Sequence, residues 1–175
     1  VRLTYTLIIY FSAGPEGLMA PDSKGFLQTA AAFVEAARSG VLAGWDWLGP
    51  DPAVMPMNLW LLSATMAVTG DTGPLAPALA QGVIGAATCV FIALLAGAVH
   101  RGLLASAGWF AVFAPTLVVL NGIVLTDTLF LFAAAGALWA ALAWMRHPGW
   151  RSALILGGAL GLAAMTRIVI APWIV

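Results

Sequence analysis

Residues 76–99 read APALAQGVIGAATCVFIALLAGAV and contain no charged side chain. A helix needs about 20 mostly apolar residues to cross a hydrocarbon core of about 30 Å, and this stretch is long enough. The fold is therefore expected to form in lipid. Outward from it, 103–120 is also uncharged, 129–145 is uncharged and can extend forward through 123–128, and 153–175 carries the single charge Arg167. The opening run 3–13 reaches only about 16 Å at 1.5 Å per residue. Composition agrees: the chain of 175 residues is 62% hydrophobic and 8% charged, with mean hydropathy +1.00, against roughly 45–50% apolar and about 25% charged in an ordinary soluble domain.

The charges exclude several classes of function. Seven Lys and Arg balance seven Asp and Glu, so the basic footprint of a nucleic-acid-binding protein is absent. One cysteine, Cys89, excludes an intrachain disulfide and a Cys-rich metal site. No phosphate-cradling GxxxxGK[ST], HExxH, GxGxxG or CxxC string occurs. His100 and His147 each abut an arginine at an expected helix end and read as interfacial anchors.

Charge parity sets the expected topology. The apolar run 56–70 is too short to span. If it stays on one side, Arg2, Arg101, Arg146 and Arg151 share one face, which the positive-inside rule makes cytoplasmic. Glu16, Asp22, Glu35, Asp46, Asp51, Asp71 and Asp127 then share the other. The expected fold is an all-α polytopic membrane bundle, a single membrane domain over 1–175 with about five crossings at 1–13, 76–99, 103–121, 124–145 and 152–175. An outer loop, 14–74, carries two interfacial helices at about 23–39 and 56–69. In the first of these, Phe26, Ala30, Phe33, Val34 and Ala37 share a face while Lys24, Gln28, Glu35 and Arg38 point away. Between the two helices, the turn-rich segment 44–52 holds Trp45 and Trp47, suited to the headgroup layer.

Three outer-face residues carry the candidate chemistry. Asp22 sits where an N-cap of the first surface helix belongs. Asp127 opens the fourth crossing, where a carboxylate also favours the helix dipole. Arg167 is a cation inside an apolar helix, costing about 2.5–3.5 kcal/mol at mid-bilayer unless it snorkels or finds a partner. Each has this structural explanation, yet the topology brings all three to one membrane boundary. Two carboxylates and a guanidinium there suit a reaction on a lipid phosphate: one carboxylate deprotonates an attacking hydroxyl and the cation holds the departing phosphate. The glycines 157, 158 and 161 read as a helix-packing face.

The order of Pro21-Asp22-Ser23, a Pro-led helix at Pro56, His100-Arg101-Gly102, Leu125-Thr126-Asp127-Thr128-Leu129-Phe130 and Gly161-Leu162-Ala163-Ala164-Met165-Thr166-Arg167 resembles the GT-C membrane glycosyltransferases. Within them it is most similar to the dolichyl-phosphate-mannose protein mannosyltransferase and aminoarabinose transferase group. The resemblance covers nearly the whole chain, as the N-terminal part of a larger module. It implies a polyprenyl-phosphate-linked sugar donor, a lipid, glycan or protein acceptor, and inverting transfer at the extracytoplasmic face of the cytoplasmic membrane. It implies Asp22 as catalytic base, with Asp127 and Arg167 at the donor-phosphate or metal site. A divalent cation, Mg2+ or Mn2+, held by Asp22 or Asp127 is the one cofactor it leaves room for. The string Val54-Met55-Pro56-Met57-Asn58 lacks the charge that the group often carries there. Two other classes compete: a non-catalytic membrane protein that binds polyprenyl phosphate, and a small transporter, which would place polar groups at mid-membrane.

Overall fold

The computed structural model describes residues 1–42 and 55–167. Segment 44–52, with its two tryptophans, lies outside them, as does the end of the expected last crossing. The described residues form eight α-helices and no strand: α1 (Arg2–Ala13), α2 (Ser23–Arg38), α3 (Pro56–Thr69), α4 (Leu75–Val99), α5 (Leu103–Phe113), α6 (Pro115–Gly122), α7 (Asp127–Arg146) and α8 (Trp150–Thr166), with a 3-10 turn at Pro15–Leu18.

Local chemistry sets several helix ends. Pro56 and Pro115 occupy first-turn positions of α3 and α6, where the missing N–H has no intrahelical partner to lose. Gly70 closes α3 in the left-handed region at φ 71°, a conformation that disfavours a Cβ. In α2, Ala30, Phe33 and Val34 are buried, while Lys24, Gln28, Glu35 and Arg38 are exposed.

Helix α4 is the hub, packing against α5, α7, α1 and α6, and α7 packs in turn on α8. Its inward stripe of Gln81, Gly82, Gly85, Thr88 and Cys89 is small and polar. A methyl group at Gly85 would overlap the Asn121 amide, so the glycine is what lets α6 approach. The opposite polarity lies outside: Phe11, Trp109, Phe110, Leu138, Leu154 and Ile155 are exposed, whereas Thr6, Gln81, Thr88, Asn121 and Thr128 are buried. Polar groups in the bundle interior and apolar ones around it are what a lipid solvent selects.

By length and composition, α4 and α7 can each cross a membrane, and α5 with α6 makes a third span if the bent pair counts as one. Helix α1, with 12 residues, reaches about 18 Å. Helix α8, with 17 residues, is apolar and shorter than those spans. The third expected crossing, read as one helix over 103–121, is two helices inclined at 52°. The cause is Pro115. Lacking an N–H, it leaves the Ala111 carbonyl without its i+4 donor, and the bend at Ala114 separates Val112 from its own.

Arg2 fills that gap. Its guanidinium donates to the Ala111 carbonyl at 2.9 Å and the Val112 carbonyl at 3.3 Å, and the residue is only 5% exposed. The sequence placed Arg2 at a bundle end with Arg101 and Arg146. Instead it lies level with Ala111, about 12 Å along α5 from Leu103 at 1.5 Å per residue. The freed carbonyls explain the difference, because a bare helix break in apolar surroundings needs a donor. Arg146 keeps its expected neighbourhood, donating to the Ala98 carbonyl at the last turn of α4 at 2.9 Å.

Candidate functional site

The opposite end of the bundle, where α7 begins, is built around the extended residues between α6 and α7. Ile123 is extended at φ −112° and ψ 143°, so the peptides that follow point sideways and need partners from other elements. Three arrive. The Val124 N–H donates to the Leu18 carbonyl at 3.0 Å. Its carbonyl accepts from the Ser23 hydroxyl at 2.6 Å, and that hydroxyl in turn accepts the Ala20 N–H at 2.8 Å. Both polar groups of the Leu125 peptide pair with Gln81 of α4: the side-chain NH2 donates to the Leu125 carbonyl at 2.7 Å, and the side-chain carbonyl accepts the Leu125 N–H at 3.2 Å. Beneath, Leu18, Leu27, Leu59, Leu62, Met66, Ala78 and Val124 form one buried apolar cluster.

These bonds place the candidate residues. Asp22 directly precedes Ser23, so the hydroxyl bond to Val124 ties its backbone to the segment leading into Asp127. The Asp22 carboxylate makes no capping hydrogen bond to α2 and is exposed. Nearby Lys24 pairs with Glu16 at 3.3 Å. Asp22 therefore holds the N-cap position of α2 without capping it through its side chain.

Asp127 and Arg167 meet directly. Arg167 follows the last residue of α8, and its Nη2 lies 2.8 Å from Asp127 Oδ1 at the start of α7, with the side chains 45% and 27% exposed. The guanidinium also lies over the Phe130 ring, 5.8 Å from its centroid, a cation–π placement. Thr126, not Asp127, holds the N-cap position of α7, and neither caps it through a side chain. Arg167 has thus found a partner in Asp127. Because a guanidinium has five N–H donors, pairing with one carboxylate oxygen leaves others for an anion.

The donor set does not make a metal cage. Among the described residues no three His, Cys, Asp or Glu side chains gather, and one Asp127 oxygen is committed to Arg167. Two grooves among the described residues lie elsewhere: one of about 390 Å³ between α2 and α3, lined by Phe33, Arg38 and Trp60 among others, and one of about 360 Å³ between α4 and α5 beside Cys89 and Trp109. Neither is lined by Asp22, Asp127 or Arg167.

The chain matches no protein-family model, no curated protein and no solved structure. The geometry therefore carries the functional reading. Sequence reasoning named Asp22, Asp127 and Arg167 but missed Gln81, whose only signal was an uncompensated amide in an otherwise apolar helix. Ser23 entered it only within the Pro21-Asp22-Ser23 string.

Proposed function

We propose that the chain is a membrane glycosyltransferase module that moves a sugar from a polyprenyl-phosphate donor to a lipid, glycan or protein acceptor at the extracytoplasmic face of the cytoplasmic membrane. The observation that carries this reading is the 2.8 Å Asp127–Arg167 pair, set on a segment hydrogen-bonded to the residue beside an uncommitted Asp22 carboxylate. Asp22 takes the proton of the acceptor hydroxyl. The oxygen then attacks the anomeric carbon from the side opposite the phosphate, the bond from that carbon to the phosphate oxygen breaks, and polyprenyl phosphate leaves with its electrons. The configuration inverts. Arg167 meets the departing phosphate, where charge builds, and Asp127 fixes the orientation of its guanidinium. The order of sequence motifs supports the same family reading.

A second reading, a non-catalytic protein that binds polyprenyl phosphate, is favoured by the neutralisation of Arg167 by Asp127. The two separate in proteoliposomes of the full chain supplied with a polyprenyl-phosphate-linked hexose and membrane acceptors. Release of free polyprenyl phosphate, lost in R167Q, supports transfer. Donor binding without release supports the second reading, and neither binding nor release overturns both.

A further inference from the structure

Gln81 has no role in the chemistry described above, yet it is fully buried in an otherwise apolar helix long enough to span a membrane. We propose that it is a positioning residue for the site, acting through the backbone two residues before Asp127. Its amide meets the Leu125 peptide as a neighbouring strand would, donating at 2.7 Å and accepting at 3.2 Å. Among the described residues no other main-chain or side-chain group bonds the Leu125 N–H or the Leu125 carbonyl. With Val124 held by Leu18 and Ser23, the amide completes a three-sided clamp on the segment entering α7. Asp127 is the first residue of α7, so a shift of Leu125 moves its carboxylate and, through the ion pair, the Arg167 guanidinium. Misplacement by about 1 Å, even far from the chemistry, can cost about a hundredfold in rate. Gln81 therefore sets where the phosphate is met without touching it.

The inference rests on the proposed sugar transfer for its consequence in rate, but the clamp can be read independently. Q81L keeps bulk and loses both hydrogen bonds. Q81E, when protonated, offers one donor and one acceptor as the amide does. When ionised it can only accept, and it then repels the Leu125 carbonyl. The competent, protonated form of Q81E exists at the lower pH and is lost as pH rises.

Hydrogen exchange and transfer from a polyprenyl-phosphate-linked hexose are measured on the full chain in nanodiscs. In Q81L, amide exchange should rise across 123–127 and remain unchanged in α4, with kcat down ten- to a hundredfold and KM for the acceptor within twofold. Q81E should recover most of the rate on the acidic side and show an alkaline fall that the parent protein lacks. Unchanged exchange at 123–127 in Q81L overturns the clamp. Altered exchange with an unchanged kcat, or a Q81E profile parallel to the parent's, overturns the positioning role. A parent protein that transfers nothing while Q81L alters exchange at 123–127 leaves the clamp standing and counts against sugar transfer itself. If Q81L does not fold, the Q81E profile decides.

Discussion

Removing Arg2 tests whether the bend between α5 and α6 is held by a side chain. In R2M the Ala111 and Val112 carbonyls lose their donors, at 2.9 and 3.3 Å. Hydrogen bonds to charged groups contribute about 1.5–3 kcal/mol each, and the longer one belongs at the low end, giving about 3–4.5 kcal/mol lost. Removing a cation from an apolar interior returns about 2.5–3.5 kcal/mol, and the Arg2 Nε is already unpartnered. R2M alone should therefore cost only about 1 kcal/mol on these figures. The informative variant is P115A, which supplies the missing N–H to the Ala111 carbonyl. In that background Arg2 is worth one bond fewer, so R2M should become neutral or stabilising. The coupling between the two positions is about 1.5–3 kcal/mol, the worth of that bond. Reversible SDS unfolding in mixed micelles of the parent, both single variants and the double variant measures it. Additivity within about 0.5 kcal/mol would show that Arg2 does not serve the carbonyl that Pro115 leaves free.

Three further outcomes follow from the packing and the clamp. G85L drives a side chain into Asn121 and should cost about 1–3 kcal/mol by overpacking, whereas the same substitution at Gly157, read from the sequence as part of a packing face but with no neighbour within 4 Å among the described residues, should be near neutral in the same unfolding assay. S23A removes the donor to the Val124 carbonyl and the acceptor of the Ala20 N–H. It should lower stability by about 1–3 kcal/mol and raise proteolysis near residue 20 in a limited-digestion time course. If the proposed topology holds, a cysteine at Val68, 87% exposed on α3, should react with a maleimide from the outer side of right-side-out vesicles, and one at His147 only after permeabilisation; the reverse pattern would invert the topology.

The helices were largely legible because their signals are local. Uncharged length marks α4 and α7, a shared apolar face marks α2, and Pro56 with Gly70 brackets α3. The bend after α5 was not read, although Pro115 was in view. A proline inside a long apolar run can be absorbed by neighbouring groups in a bundle, and only the fold shows that the absorbing group is Arg2. Charge counting misplaced Arg2 for the same reason: it assigns cations to membrane boundaries and has no term for carbonyls freed by a break. At the site, the meeting of Asp127 with Arg167 follows from two adjacent helix ends at one end of the bundle. The Gln81 and Ser23 bonds to Leu125 and Val124 join residues 44 and 101 positions apart. Such side-chain-to-backbone pairs leave no periodic trace in a sequence.

The central claim is that the uncommitted Asp22 carboxylate is the base for transfer. It is tested most directly by transfer of a polyprenyl-phosphate-linked hexose by the D22N protein in proteoliposomes, beside the parent. Asn keeps the shape of the side chain and removes its basicity, and since the Asp22 carboxylate makes no capping bond to α2, the thermal transition should stay within about 1 °C, a change of less than about 0.5 kcal/mol. If Asp22 is the base, donor binding stays within about twofold of the parent and the rate falls by about a hundredfold or more, the range that general-base catalysis contributes. A D22N protein that folds, binds donor and transfers sugar at the parental rate would contradict it.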